Sequence, residues 1–236
     1  MISVCLATYN GEKYIKEQLD SILTQIDLND EVIVSDDSST DKTIEIIENF
    51  EDSRIKLYKN NKFMNPIYNF ENALIKCSGD IIFLSDQDDI WFQNKVVDYI
   101  IKLKKYDVVF SNVNLFWGAL NKTKTMYDLE KNHNGLVKNI TKNHCIGATM
   151  AFKREVLEKA IPFPKYIPMH DIWIYSLGSI FGKTYYFNKP YLYYRRHENN
   201  VTNTGVKTTN SLFVIIKKRI LLLVALFMRI IKVYFK

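Results

Sequence analysis

Three carboxylates, Asp86, Asp88 and Asp89, stand within four positions of one another, directly after the apolar run 81–84. Carboxylates crowded in this way repel one another unless a cation neutralises them. Hard oxygen ligands suit Mn²⁺ or Mg²⁺, and such an ion can bridge to a diphosphate and stabilise its leaving charge. The plainer reading is a helix N-terminus whose acids complement the dipole, and Asp89 alone would serve it. Three acids exceed what a cap needs, so a metal site is expected.

A second acidic turn, Ser35-Asp-Asp-Ser-Ser-Thr-Asp41, follows the apolar run 31–35. Asp36 or Asp37 could accept hydrogen bonds from a base N–H or from ribose hydroxyls. Ser39, Thr40 or Asp41 suits the cap of a following helix. The first apolar run, 2–7, leads into Ala7-Thr-Tyr-Asn-Gly11. Gly11 allows a turn whose amides can approach a nucleotide, and Tyr9 could stack on a base. Alone this is an ordinary strand-to-helix loop; its weight comes from being the first of three polar strand ends.

The elements that must hold these ends together follow from periodicity. Short apolar runs at 2–7, 31–35, 54–58, 81–84 and 108–111 read as strands. Segments 15–26, 44–50, 65–75 and 93–105 carry helical spacing between them. Asn65-Pro66 suits an N-cap followed by the first helical position. This alternation predicts an α/β fold with a mostly parallel sheet flanked by helices. In such sheets ligands bind at the carboxyl ends of the strands, where all three polar segments fall. After about residue 112 the pattern weakens. Expected there are a strand at 146–152, helices at 154–160 and 171–181, strands at 184–187 and 191–196, and a polar loop at 197–211.

In order and spacing, Val4-Cys-Leu-Ala-Thr-Tyr-Asn-Gly11, Val34-Ser-Asp-Asp-Ser-Ser-Thr-Asp41 and Asp86-Gln-Asp-Asp89 with Trp91 resemble the family-2 glycosyltransferases. The wording Ser-Asp-Gln-Asp-Asp-Ile-Trp is similar to their rhamnosyltransferase-like branch. The resemblance implies a GT-A (Rossmann-like) fold over 1–205, with a nucleotide-sugar half at 1–110 and an acceptor half at 111–205. It implies a nucleotide-diphosphate sugar donor and Mn²⁺ or Mg²⁺. Ala7, Tyr9 and Glu12 match positions lining the nucleobase and ribose pocket, Asp37 the base-recognising acid, and Asp86 the acid near ribose and phosphate. Asp88 matches the metal ligand, with Asp89 supporting the site. In Met169-His-Asp-Ile-Trp173, Asp171 takes the place of the general base. His170 stands where an acid is usual. Gly147 and Trp173 are expected on the acceptor side. In Tyr194-Arg-Arg-His-Glu-Asn-Asn-Val201, His197 is expected at the metal or diphosphate, and Arg195 or Arg196 as a diphosphate clamp.

The formal charge of +6 is unevenly spread. Residues 206–236 hold seven Lys/Arg and no acid, leaving 25 basic against 26 acidic side chains in residues 1–205, a net of −1. A nucleic-acid-binding body should carry its own basic excess, so that class is set aside. The stretch 211–236 is apolar with spaced cations, and its longest uncharged run, 220–228, has nine residues. A spanning helix needs roughly 20. On a helical wheel Lys218, Arg229, Lys232 and Lys236 fall within about 60° of one another. An in-plane amphipathic helix with a basic stripe facing lipid headgroups is expected, a core helix packed on the domain being the alternative. Three widely spaced cysteines without a zinc pattern suggest reduced thiols, and the run 2–7 is too short for a signal peptide.

The combined expectation is an inverting glycosyltransferase at the cytoplasmic face of the inner membrane. It would move one sugar from dTDP-rhamnose or a UDP-hexose to a lipid-linked or polysaccharide acceptor. The alternatives are an inactive membrane-bound scaffold of the same fold and a sugar nucleotidyltransferase.

Overall fold

The apolar runs at 2–7, 31–35 and 81–84 become β1 (Ile2–Thr8), β2 (Glu31–Asp36) and β4 (Ile81–Asp86). These strands are parallel, and β3 (Ile55–Tyr58) adds a fourth outside β2. The computed structural model describes residues 1–118, 120, 123–126, 133–198 and 211–235. Beyond β4 the sheet becomes mixed, in the order β3-β2-β1-β4-β8-β6-β9-β5, with β7 paired to β6. Here β5 is Ile90–Trp91, β6 Val108–Phe116, β7 Thr123–Thr125, β8 Ala151–Lys153 and β9 Thr184–Arg195. The parallel run therefore belongs to the first half, and the insertion of β8 reverses direction between β4 and β6.

Helices cover both faces, as a sheet buried on two sides requires. One face carries α1 (Ile15–Leu23), α2 (Thr43–Glu48) and α4 (Lys95–Leu103), around a core including Leu19, Ile47, Phe83 and Tyr99. The other carries α3 (Pro66–Lys76), α6 (Arg154–Ala160), α7 (His170–Phe181) and α8 (Leu212–Tyr234), around Phe70, Leu157, Trp173 and Leu226. Short α5 (Leu136–Thr141) packs on α7. Each fully buried aliphatic or aromatic side chain contributes about 1.5–3 kcal/mol. Asn65 caps α3 as its sequence predicts, its side chain accepting from Ile67 N–H at 2.9 Å.

Two expected elements differ. The strand expected at 146–152 begins as a 3₁₀ turn, Gly147–Thr149, and only Ala151–Lys153 pairs as strand. The Thr149 hydroxyl and N–H both bond Ile146 O, at 2.8 and 3.0 Å, which closes the turn. Conversely, 184–187 and 191–196 form one long strand, β9. Its register against β6 shifts around the Asn112–Pro190 pair, where proline has no N–H to offer the ladder.

Helix α8 docks on the domain through a narrow face. Leu222, Leu226 and Arg229 are buried, and Arg229 donates to the carbonyls of Lys159 (2.8 Å), Ile161 (2.9 Å) and Pro162. This corrects the expected basic stripe. Arg229 faces the protein because its guanidinium satisfies three carbonyls at the end of α6 and lies over the Trp173 ring at 5.4 Å. Lys217, Lys218 and Lys232 remain exposed. Opposite the docked face, Ile216, Ile220, Leu223, Val224, Phe227 and Ile231 are exposed. Lys207 and Lys236 lie outside the described residues. None of the described helices is long and apolar enough to cross a membrane.

Candidate active site

The strand register brings the polar ends together. Ala7 at the end of β1 lies opposite both Ser35 in β2 and Asp86 in β4, and Thr8 lies opposite Asp36. The loops beyond are then laced by side chains. Gln87 accepts from the Thr8 hydroxyl (2.5 Å) and Tyr9 N–H (2.8 Å), and its amide donates to Tyr9 O at 3.0 Å. A Cβ on Gly11 would meet Gln87 Oε1 at 2.5 Å, so glycine is required for this staple. Gly11 N–H donates to Thr43 Oγ1 (2.7 Å), and Glu12 N–H to Asp41 (3.0 Å). Gln87 lies between the acids of its motif and was not singled out by sequence; a polar residue there looks like filler.

Among the residues expected to bind the donor, Tyr9 is 54% exposed, and half-buried Ala7 and Glu12 flank the same edge. Glu12 Oε2 accepts from Lys42 N–H at 3.1 Å. Asp37 is buried and takes the N–H groups of Phe63 (2.6 Å) and Asn65 (3.3 Å), so it also shapes the loop leading to α3. Asp36 instead turns to Ser39 N–H at 2.8 Å, capping its own turn.

The acidic loop meets the end of β9. His197 Nε2 lies 2.7 Å from Asp88 Oδ2 across 109 residues of sequence. His197 stacks on Tyr14 at 5.2 Å between centroids. Asp89 is fully buried; its Oδ1 accepts from Arg195 N–H at 3.1 Å, and its Oδ2 has no hydrogen-bond partner among the described residues. Burial, then the neighbouring Asp88 and Asp171, pushes Asp86 up to about 7. Burial also drives Asp89 well above the usual carboxylate range, reinforced by Asp88 and Asp86.

This donor set fits a hard divalent cation. Two candidate ligands, Asp88 and His197, already touch, a buried carboxylate oxygen beside them has no partner among the described residues, and the acid crowding calls for positive charge. Among the described residues no group of three or more His, Cys, Asp and Glu is placed to hold a metal alone. That is consistent with ions held by one or two side chains plus substrate phosphates.

Arg195, one of the two arginines expected as a diphosphate clamp, is engaged with the acidic loop. Its guanidinium lies between the rings of Tyr14 (4.6 Å) and Phe116 (4.5 Å), with Nε donating to Asp88 O at 2.8 Å and Nη2 paired to Glu17. It holds the acidic loop in place. Arg196 is half-buried beside it, with its N–H on Phe116 O at 2.9 Å.

On the acceptor side, α7 begins at His170, so Asp171 stands in its first turn. Burial raises Asp171 to about 6, against hydrogen bonds from Ile172 N–H, the Asn143 side chain and Gly147 N–H. The 3₁₀ turn carrying Gly147 is therefore part of the setting of Asp171. A Cβ on Gly147 would come within 2.7 Å of His170 Nε2. His170 is buried against Phe70, 4.0 Å between centroids, and burial holds its imidazole down to about 3, hence neutral. Trp173 is the other residue expected on the acceptor side. It is fully buried, with Nε1 on Ala160 O at 2.9 Å. Two residues along a helix turn the side chain by about 200°, so Trp173 must point away from Asp171.

Sequence reading also passed over Lys95. It opens α4, is fully buried, and donates from Nζ to Ala148 O at 2.9 Å. Burial pulls its ammonium down to about 7, while Asp89 and Asp86 hold it up.

Residues 3–161 match the family model for "Glycosyl transferase family 2". The chain is similar to the dTDP-rhamnosyl transferase RfbG of Shigella flexneri, 34% identical over 225 residues, covering 85% of this chain and 74% of that protein. It is also similar to the UDP-Glc:alpha-D-GlcNAc-diphosphoundecaprenol beta-1,3-glucosyltransferase WfaP of Escherichia coli, 35% identical over 116 residues, 49% of this chain and 46% of that protein. Among solved structures, Staphylococcus aureus TarS 1–349 in complex with UDP-GlcNAc superposes with a TM-score of 0.70 at 20% identity, over 94% of this chain and 66% of that one. The mannosyltransferase PcManGT from Pyrobaculum calidifontis, in complex with GDP-Man and Mn²⁺, has a TM-score of 0.61 at 22% identity, over 80% of this chain and 54% of that one. At these identities the structural likeness concerns the fold.

Proposed function

This chain belongs to glycosyl transferase family 2, and from that premise we propose that it moves one sugar, with inversion, from a nucleotide-diphosphate donor to a lipid-linked or polysaccharide acceptor. The observation that carries the reading is the meeting of Asp88 and His197 at the carboxyl end of β4, beside Asp86, whose electrostatic neighbours include the raised carboxyl of Asp171. The named relatives favour dTDP-rhamnose or a UDP-hexose as donor.

In this reading Tyr9 stacks on the base, while Ala7, Glu12, Asp37 and Asp86 line the nucleotide's base, ribose and first phosphate. Asp88 and His197 hold Mn²⁺ or Mg²⁺, which when bound supplies positive charge against the departing diphosphate. Arg196 is the remaining cation of its pair for the phosphates, since Arg195 holds the loop. Asp171 takes the proton from the acceptor hydroxyl, and its raised affinity for protons makes it a stronger base than an exposed carboxylate. Gly147 keeps the acceptor side free of bulk. The test is transfer from dTDP-rhamnose and UDP-hexoses to a diphosphate-lipid acceptor, with the product read by NMR. The expected product has the opposite anomeric configuration to the donor; retention would overturn the assignment of Asp171 as base in a single displacement.

The same reading places the enzyme at the cytoplasmic face of the membrane, lying on it through α8. Support comes from the exposed apolar face opposite the docked one, flanked by Lys217, Lys218 and Lys232 with no acid in the helix. Apolar insertion plus basic attraction suits reversible binding. In vesicle flotation the full chain is expected to rise with anionic liposomes and less with neutral ones. The double substitution L223D/F227D should leave it in the soluble fraction with its melting curve unchanged. Equal flotation of that variant would remove α8 as the contact.

A further inference from the structure

Helix α8 touches the domain at a second place besides Arg229. Arg219 donates from Nη2 to Thr141 O at the end of α5. Thr141 is the apex of a connector fastened to the start of α7 at both ends. At one end Gly135 N–H donates to Tyr175 Oη at 2.8 Å, and Tyr175 stands one turn beyond Asp171 on the same side of α7. At the other end a Cβ on Gly147 would meet Asp171 Cβ at 3.5 Å. Between them the Asn143 side chain bonds Asp171. The apex itself is a closed turn: Asn139 Oδ1 accepts His144 N–H at 2.9 Å, and Asn143 Oδ1 accepts Cys145 N–H at 3.0 Å. Asn143 stands two residues after Thr141, so about 7 Å of chain at most separates them.

Cations gather at this apex. Lys142 follows Thr141, Lys217 and Lys218 precede Arg219, and all three lysines are exposed. Neither 133–147 nor 211–236 contains an acid, so the group is an anion-binding surface. A guanidinium carries more N–H donors than one carbonyl can take, and its fork suits phosphate oxygens. Apolar side chains stand in the same place. Ile216 lies on the Arg219 side of α8, three positions before it, and Val137 lies one turn before Thr141 on α5; both are exposed.

We propose that Arg219 and Lys142 bind the diphosphate of a lipid-linked acceptor, whose hydrocarbon chain lies along the exposed apolar face of α8 and whose sugar reaches Asp171. The inference rests on the reading of Asp171 as the base and deepens it. It selects a lipid-linked acceptor over the free end of a polysaccharide. A sugar next to its diphosphate can present a hydroxyl at Asp171 while the diphosphate sits on Arg219, whereas a long glycan carries its end too far from its lipid. The donor's diphosphate belongs to the ends of β4 and β9, so the two diphosphates have separate seats.

The probe is farnesyl diphosphate, a soluble lipid diphosphate, titrated into the full chain by calorimetry with EDTA present. Arg219→Gln and Lys142→Gln are each expected to bind it about tenfold more weakly than the wild type, the scale of a lost hydrogen bond between charged groups. Either variant decides if the other fails to fold. Lys104→Gln, at an exposed position by the end of α4 on the opposite face of the sheet, should bind as the wild type does. Farnesol should bind at least about tenfold more weakly than its diphosphate, and UDP or dTDP should not displace the probe. In transfer to a diphosphate-lipid acceptor, Arg219→Gln should raise the acceptor KM about tenfold and leave the donor KM unchanged, a split that general loosening of the fold would not give. Probe binding within about twofold of the wild type in both variants, or displacement of the probe by UDP, would overturn the site and leave the transfer reaction standing. Phosphatidylglycerol vesicles separate the remaining source of phosphate: K142Q/R219Q should still float with them through Lys217, Lys218 and Lys232. Loss of flotation as complete as the loss of probe binding would make the cluster a headgroup contact and overturn the acceptor assignment. A wild type that binds the probe through Arg219 yet transfers no sugar to any diphosphate lipid would overturn the proposed reaction and keep the diphosphate site.

Discussion

Asp171→Asn is expected to lower kcat by about 10²–10⁴-fold, the range that a positioned general base contributes. The amide fits the same volume and can still accept Ile172 N–H, which Asp171 Oδ1 now takes at 2.6 Å, so the fold should persist. It cannot take a proton at neutral pH. Donor binding should survive, because the residues proposed to line the nucleotide lie at or just beyond the ends of β1, β2 and β4. The pH profile gives the second readout. Burial raises Asp171 to about 6, and only the deprotonated form can act as base. The wild-type rate should therefore fall as pH drops through about 6 and level off above it. The residual rate of the variant should lose that limb. Retention of a tenth or more of the rate, or an unchanged acid limb, would exclude Asp171 as the base.

Asp171 stands out in the sequence by type, whereas the direction Trp173 faces is a matter of geometry. A carboxylate at a helix start, in a motif of known spacing, announces itself by type. Which side a neighbour two positions on will face depends on where the helix is rotated, and α7 is buried on nearly all sides, so no polar stripe marks its orientation. The acidic loop was legible for the opposite reason. Its acids are contiguous and follow a buried strand, and parallel pairing alone brings Ala7, Ser35 and Asp86 into line. The helix at 154–160 and the Asn65 cap were legible because they are local.

What escaped is what depends on burial or on distant chain. Lys95 reads in sequence as one more solvated cation beside Asn94; only the fold reveals that Ala148 and Trp91 enclose it. Tyr14 carries no motif in the sequence, yet its ring packs against both Arg195 and His197. The helical wheel placed Arg229 correctly with Lys218 and Lys232 but could not say which side the domain would occupy. Three carbonyls at the end of α6 settle that, and they belong to residues 159, 161 and 162, some seventy positions away. The exposed apolar face of α8 is the consequence, since the docked face uses little of the helix.

Asp88→Ala is expected to have the other large effect, a loss of about 10³-fold or more in transfer, since a bound dication contributes several kcal/mol of charge stabilisation. Its removal also leaves His197 without the carboxylate it faces at 2.7 Å, so one of the contacts between the acidic loop and the end of β9 is lost. Arg195 should still hold the loop through Asp88 O, a backbone atom that the substitution spares. The folded protein should thus remain available for a binding measurement. A ligand at 100 times its Kd stabilises the native state by about 2.7 kcal/mol, which for a chain of this size raises Tm by about 5–10 °C. With Mn²⁺ and the cognate nucleotide the wild type should show a shift of that order, smaller when the metal is withheld. In Asp88→Ala the metal-dependent part should vanish, leaving the contribution of Tyr9 and Asp37 to the base. His197→Ala should lose less, because a carboxylate and the diphosphate can still share the ion. If Asp88→Ala kept the full metal-dependent shift while His197→Ala lost it, the ligand would have to be sought among Asp86 and Asp89. The unpartnered Asp89 oxygen would then be the first place to look.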